Sequence, residues 1–413
     1  MNKLQQYKKF AKGKGGNMKK KILFIEEGLG IGGAEKSLLA ILSLIDYSKY
    51  DVDLFLFRHN GELMNMLPKE VNLLPLPKDF ALYEKNKKIS PLNFLKEGNM
   101  KCFFYSIKYL INSLIHKVLL KKEYIGWDNV KHMFLPIKKE YDVAISFLEK
   151  KTIYFNVDKV KAKKRIGFVH IDYSKYPYNY NLDKKYFKYF TKIVTVSEHC
   201  KEVLENIFSE YKEKFCVIKN MISPEIINKM ANEEIDLKIN KNDIIIVTVG
   251  RLIMQKGIDN AILVCKELVD AGYPIRWYSV GKGGDKEKFE KMIEERNLKN
   301  NFILAGPKLN PYKYMKACDI YVQPSRFEGY GITVAEAKAL RKPIVATNIP
   351  EFEEQIVNEK TGLLVKDNEE MIKAIERIIN NKELKNIFVK NLNDDKNIAN
   401  EAELNKLYEI IEK

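Results

Sequence analysis

The sequence predicts an α/β protein made of two doubly wound parallel-sheet units, and three observations lead there. Its 413 residues exceed one ordinary core at ~100–200 residues per domain. Hydrophobic residues make up 46% and charged residues 31%, a balance that suits globular packing and excludes a wholly disordered or collagen-like chain. Short apolar runs alternate with helix-length periodic stretches, and the alternation starts twice.

Residues 1–17 read as a mobile basic tail, with Lys3, Lys8, Lys9, Lys12 and Lys14 and with Gly13, Gly15 and Gly16 near its end. The first unit, 18–222, opens on a strand at Ile22–Glu26 and a helix from about Ala34. Further strands are expected at Val52–Phe57, Val143–Ser146, Arg165–His170 and Ile193–Ser197. A stretch of about 80–139 exceeds what the alternation needs and reads as a helical insertion. In it Phe103, Ile107, Leu110, Leu114 and Val118 recur at three- and four-residue steps, beside Lys101, Lys108, Lys117, Lys121 and Lys122. Two readings of this stripe stand: a helix packed on its own unit, or a basic amphipathic surface for anionic lipid or a lipid-linked substrate.

Pro224 and a polar stretch mark 223–242 as a linker. The second unit, 243–385, gives a strand at Ile244–Gly250, a helix at Gly257–Ala271, a strand at Arg276–Gly281 and a helix at Asp285–Arg296. Strands at Asn301–Gly306, Ile320–Gln323 and Pro343–Thr347 follow. A helical segment, 386–413, closes the chain and is expected to pack back on the first unit.

The net charge of +16 is unevenly spread. Through Met230 there are 42 basic and 25 acidic residues; from Ala231 onward there are 29 and 30. This excess raises a nucleic-acid-binding reading. No recognition motif accompanies it, and the nearly neutral second unit argues against nucleic acid as a partner. Five scattered cysteines, without a C-x-x-C pair or a neighbouring His cluster, argue for a reducing compartment and against a structural zinc. No apolar run approaches the ~20 residues of a membrane span, and the Lys-rich start leads into a strand instead of a signal sequence. The expected location is cytoplasmic, peripheral on the inner face of the cell membrane.

Glycines follow the first strand in Gly28-Leu-Gly30-Ile-Gly32-Gly33-Ala34-Glu35, a literal G-x-G-x-x-G that lets backbone approach a phosphate or sugar at a helix N-terminus. A nicotinamide site would want an acid at the end of the second strand, where Phe57-Arg58 stand instead. Asp51 and Asp53 form a D-x-D, but at the start of that strand, which favours a solvated strand end over a metal site. In the second unit Gly250-Arg251-Leu252 is followed by Lys256-Gly257 at a helix start. A guanidinium fork, a point charge and a helix N-terminus then converge on a diphosphate. Glu328 lies in the loop Phe327-Glu328-Gly329-Tyr330-Gly331, and Glu336 stands about two turns into the next helix. Two carboxylates so placed reach different parts of one extended ligand, while the loop amides face an anion.

These residues resemble glycosyltransferase family 4, retaining enzymes of the GT-B architecture with two Rossmann-like domains facing across a cleft. The resemblance rests on Gly250-Arg251-Leu252, Lys256-Gly257, Gly281, Pro324-Ser325, Phe327 to Gly331 and the Glu328 to Glu336 spacing. Gly32-Gly33-Ala34-Glu35, Phe168-Val-His170 and Val196-Ser197-Glu198 carry it in the first unit. It implies that Arg251 and Lys256 hold the donor diphosphate, Glu336 the ribose hydroxyls and Glu328 the transferred sugar. Gly250, Gly281, Phe327 and the amides of Gly329, Tyr330 and Gly331 would line the donor site. Gly32 and Gly33 would line the cleft from the acceptor side, and His170 would face the donor sugar or merely line the cleft. Gly281-Lys-Gly283-Gly284 departs from the family, which commonly has an acid there.

The implied reaction moves a hexosyl unit, with retention, from a nucleotide-diphosphate sugar to a glycan or polyprenyl-linked acceptor in cell-surface polysaccharide synthesis. A UDP-sugar is favoured and GDP-mannose stays open, the base lying near Gly306 to Leu309. The sugar nucleotide is a co-substrate; no further cofactor and no metal is implied, because Arg251 and Lys256 supply positive charge. An anionic membrane surface is a further expected partner.

Overall fold

A computed structural model describes residues 19–76, 91–116, 118, 126–176, 179–236, 240, 242–393 and 400–413. The basic tail therefore lies outside the described residues, as do Lys117, Lys121 and Lys122.

The first unit begins β1 (Lys20–Glu26), α1 (Gly33–Leu44), β2 (Tyr50–Leu56), β3 (Asn72–Leu73), α2 (Pro91–Lys96), α3 (Met100–Ile115), α4 (Trp127–Val130) and β4 (Glu140–Ser146). It continues α5 (Lys151–Lys159), β5 (Lys161–Val169), α6 (Tyr180–Phe187), β6 (Lys192–Thr195), α7 (Glu198–Ile207) and β7 (Phe215–Val217). The seven strands form one parallel sheet in the order β3-β2-β1-β4-β5-β6-β7. A chain reversal on either side of β1 makes this a doubly wound sheet, whose ligand crevice lies beyond the strand C-termini.

Side-chain alternation explains why these runs are strands. Along β1, Ile22 and Phe24 enter one core layer while Leu23 and Ile25 enter the layer on the other face. A strand buried on both faces needs the near-continuous apolar run seen in the sequence.

The second unit starts with α8 (Pro224–Ala231) and β8 (Ile244–Val249), then α9 (Ile258–Asp270), β9 (Ile275–Val280), α10 (Lys286–Glu295), β10 (Phe302–Gly306) and α11 (Tyr312–Ala317). β11 (Ile320–Gln323), α12 (Ile332–Ala339), β12 (Ile344–Thr347), α13 (Pro350–Glu353), β13 (Leu363–Val365), α14 (Asn368–Asn380) and α15 (Lys382–Asn393) follow. Its parallel sheet runs β10-β9-β8-β11-β12-β13, and β8 alternates Ile246 into one layer against Ile245, Val247 and Val249 into the other. The last helix, α16 (Glu401–Glu412), belongs to neither unit by chain order.

Three segments differ from their sequence reading. Part of the 223–242 linker is helix α8, whose Ile227 and Ala231 are buried in the second core. Pro224 starts this helix: it takes the first helical position, where no N–H bond is lost, and Ser223 caps the turn by accepting from the Ile226 N–H. The closing segment divides. Phe388 of α15 stays in the second core, whereas Leu407 and Ile411 of α16 are buried against the first sheet. There Tyr408 stacks on Tyr50 at 5.5 Å, and Lys164 donates to the Ile410 and Ile411 carbonyls at the helix C-terminus, at 3.1 and 3.2 Å. In the insertion, α3 turns Cys102 and Ser106 inward. Phe103 and Ile107 are half-buried, while Leu110, Leu114 and Val118 are exposed.

Asp53 is a strand residue with structural partners. It accepts from the Tyr141 hydroxyl at 2.6 Å, Lys139 at 2.8 Å and Asn72 at 3.0 Å. Asp51 lies exposed near Lys19. Among the described residues no group of three or more His, Cys, Asp or Glu side chains could hold a metal ion.

Candidate active site between the two sheets

The second sheet presents its strand C-termini to the first unit. After β8 the chain makes a short turn, Met254–Lys256, and enters α9 through Gly257, whose φ of 65° lies in the left-handed region. A Cβ there would stand 1.8 Å from the Pro324 carbonyl oxygen, so the turn requires glycine. This turn aims Lys256 at the loop after β11. The Lys256 ammonium donates to both Glu328 oxygens, at 2.7 and 2.6 Å, and the Ser325 hydroxyl donates to Oε1 at 2.7 Å. Behind Ser325 a chain of hydrogen bonds runs through Gln323 to Tyr321 and Thr333. Glu328 is buried, held by three hydrogen bonds from two residues.

Arg251 differs from Lys256. It is exposed, and its Nη2 lies a loose 3.4 Å from Gln255 Oε1. Gln255 in turn donates to the Phe327 carbonyl at 2.9 Å. Gly250 and Gly281 are neighbours at the ends of β8 and β9, where the Gly250 carbonyl packs on the Gly281 Cα. Gly331 begins α12, and the Tyr330 carbonyl accepts from Gln355.

Glu336 lies inside α12 with a fully buried carboxylate. Its Oε1 accepts from Tyr312 at 2.9 Å and from Lys36 of α1, in the other unit, at 2.7 Å. Its Oε2 is buried without a hydrogen-bond partner among the described residues.

The first unit meets this edge directly. Gly33 at the start of α1 packs on Ile332, and Gly32 stands beside it against the Glu35 carboxylate. A Cβ on Gly329 would stand 1.9 Å from the His170 carbonyl oxygen, so loop and strand end touch through backbone. The His170 ring packs on Phe147 and Phe168, at 5.0 and 5.7 Å, and burial pulls its pKa down to about 4. At neutral pH it is an uncharged imidazole. Nearby carboxylates share that trend: burial, aided by the negative charge of Glu35, raises Glu26 well above the usual range, and burial raises Glu35 and Glu149.

The fold thus brings Arg251, Lys256, Phe327, Glu328, Gly329 and Glu336 to one edge, with Gly32, Gly33 and His170 facing them. Two participants escaped the sequence. Lys36 is the single basic residue of α1, but its partner is 300 positions away. His199 approaches Asp172 of its own unit at 3.4 Å and, across the units, Glu351 at 3.9 Å, a cluster with no local spacing signal.

Comparison with known proteins agrees with this geometry. Residues 230–394 match the family described as Glycosyl transferases group 1. An uncharacterized glycosyltransferase of Methanocaldococcus jannaschii is 29% identical over 168 residues, 40% of this chain and 41% of that protein. The Campylobacter jejuni N-acetylgalactosamine-N,N'-diacetylbacillosaminyl-diphospho-undecaprenol 4-alpha-N-acetylgalactosaminyltransferase is 30% identical over 190 residues, 45% of this chain and 50% of that protein. The chain therefore spans about half the length of these curated relatives. In fold it superposes on Staphylococcus aureus TarM, solved with Fondaparinux, alpha-GlcNAc-glycerol and UDP, with a TM-score of 0.70 at 16% identity, covering 95% of this chain and 100% of that one. The segment that matches glycosyl transferases group 1 falls on the second unit, and the two parallel-sheet units together have the GT-B arrangement.

Proposed function

We propose that the protein is a retaining glycosyltransferase that moves a hexosyl unit from a nucleotide-diphosphate sugar, a UDP-sugar by preference, to a glycan or lipid-linked acceptor. The observation that carries this reading is the line of donors and acceptors along one sheet edge: Arg251 and the Lys256–Glu328 pair, the 329–331 loop amides, then buried Glu336. Such a line suits a long ligand with an anionic middle and hydroxyl-bearing ends. Negative charge grows on the leaving diphosphate as the glycosidic bond breaks, and preorganised cations and amides stabilise it most where charge develops. Arg251 and Lys256 fill that role without a metal ion, so turnover is expected to persist in EDTA. Neutral His170 contributes a polar wall and a backbone carbonyl in this reading.

UDP is favoured because TarM was solved with UDP, and a polyprenyl-linked acceptor because the Campylobacter relative's name specifies one. A place at the inner face of the membrane fits the exposed stripe of Met100, Phe104, Ile111, Leu114 and Val118 on and just beyond α3, flanked by exposed Lys101 and Lys108. No helix among the described residues is long and apolar enough to cross a membrane.

Thermal shift with UDP, GDP, NAD and a DNA oligomer tests the class. Stabilisation by UDP or GDP alone supports the transferase, and a response to NAD or DNA alone overturns it. Hydrolysis of a panel of nucleotide sugars then identifies base and sugar.

A further inference from the structure

The carboxylate assigned to the ribose is already engaged from across the cleft. Lys36 reaches from α1 to Glu336 Oε1 at 2.7 Å and lies over the Tyr312 ring, 4.9 Å from its centroid. Its side chain is only 13% exposed and that of Glu336 only 1%. Leu39, Leu63 and Met66 of the first unit and Ile226, Met230 and Leu309 of the second wall the same pocket. Tyr312 also donates to Oε1, so this oxygen has two donors while Oε2 has none.

A ribose brings two vicinal hydroxyls. Bonding both to Glu336 would draw on both carboxylate oxygens, and Lys36 occupies one together with the space in front of it. An ammonium in this apolar pocket cannot simply give up its anion and stay, because an unpaired buried charge is strongly disfavoured. It must leave with its helix or turn toward water. Since α1 packs on α12 through Gly33 and Ile332, a shift of Lys36 also loosens the contact between units.

We propose that Lys36 is a gating residue of the donor site: it holds Glu336 while the site is empty, and a nucleoside diphosphate displaces it, so donor binding and release of this cross-cleft contact are one equilibrium. This rests on the donor site proposed above. Lys36 is a positioning residue acting through Glu336, and removing it removes the competitor for that carboxylate.

The test is titration calorimetry with UDP and with GDP on wild type, Lys36→Met, Lys36→Arg and Glu336→Gln, together with small-angle scattering of each free protein. Lys36→Met is expected to bind the preferred nucleotide more tightly, by about 5- to 150-fold, the usual span of an intramolecular coupling. Its nucleotide-free scattering should already resemble that of the nucleotide-bound wild type, while Lys36→Arg stays close to wild type in both. Equal or weaker binding by Lys36→Met, with Glu336→Gln still losing affinity, overturns the gate and leaves the donor site standing. Failure of wild type to bind either nucleotide overturns the donor site itself. Should Lys36→Met not fold, Lys36→Gln serves, and unchanged or reduced affinity in it refutes the gate equally.

Discussion

Replacing Lys256 by methionine should damage stability and chemistry separately, and the structure gives the size of each. Glu328 has a side chain 6% exposed, Lys256 one 15% exposed, and the change deletes both ammonium bonds at 2.7 and 2.6 Å. Only the Ser325 hydroxyl at 2.7 Å then faces the carboxylate. Breaking a buried pair from one side costs roughly 3–5 kcal/mol; because water reaches the Lys256 side of this pair, about 3 kcal/mol is the better figure. For a unit the size of the second one, each kcal/mol moves the melting midpoint by about 2–4 °C, so calorimetry should show a drop of roughly 6–12 °C. Lys256→Met/Glu328→Gln removes the orphaned charge as well and should recover at least half of it. Activity should not follow: donor hydrolysis should fall by about 100-fold or more in kcat in both variants, with smaller changes in KM. Arg251→Ala is the control, since an exposed residue should cost under about 0.5 kcal/mol in stability yet lower kcat in the same way. Equal melting drops in the single and double variants would refute the pairing argument, and near-normal kcat in Lys256→Met would remove it from the diphosphate site.

Gly329→Ala would force a methyl to 1.9 Å from the His170 carbonyl, so the two units must separate there. An overpacking cost of about 1–3 kcal/mol should lower donor hydrolysis 5- to 100-fold while UDP affinity holds or rises, since parting the units also eases release of Lys36; full activity would show that the contact is dispensable. Burial, helped by Asp172 and Glu328 and opposed by His199, lifts the Glu351 carboxyl from 4.5 to about 7. The folded state therefore binds more protons between those values, and stability falls as pH rises from about 4.5 to 7 and levels beyond. Glu351→Gln lacks this titration, so its melting advantage over wild type should grow from pH 5 to 7, and a constant difference contradicts the assignment. For the membrane surface, sedimentation should show binding to anionic but not neutral vesicles, lost in Phe104→Ser/Ile111→Ser/Leu114→Ser. Indifference to anionic vesicles at low salt sinks that reading.

The sheets were legible in the sequence because strands buried on both faces leave continuous apolar runs, such as Ile244–Val249. Glycine-rich turns then located the strand C-termini and with them the edge where the candidate site lies. What stayed hidden has particular causes. Pro224 breaks an apolar pattern equally well whether it ends a helix or begins one, and only Ser223 before it favours the second. In the insertion the large apolar residues drew attention to one stripe, whereas the fully buried positions of α3 are Cys102 and Ser106, with Phe103, Tyr105 and Tyr109 packed partly buried against the same core. Of the stripe, Phe103 packs against the core while Leu110, Leu114 and Val118 stay exposed, so the periodicity of large side chains did not by itself separate a packed face from an exposed one. Lys36 and Glu351 were invisible because their partners lie in the other unit, and no local spacing encodes such pairs.

The charges of the candidate site also separate it from the charge of the molecule. Lys256 is neutralised by Glu328, Lys36 by Glu336, and Arg326 by a bidentate pair with Asp259 at 2.8 and 2.7 Å. Arg251 stands apart, exposed at the cleft edge. If the proposed donor site holds, the overall +16 would add little to the field a donor meets there, and recognition would depend on close hydrogen bonds that salt screens weakly. In the proposed membrane contact, lysines near α3 would act on a surface through water, where screening is strong: the Debye length shrinks from about 10 Å at 0.1 M salt to about 3 Å at 1 M. Raising salt should thus release the protein from anionic vesicles while the donor KM changes by less than about threefold. A donor KM that rises in step with vesicle release would mean that the same cations serve both, and that the paired lysines of the site are not neutralised in solution.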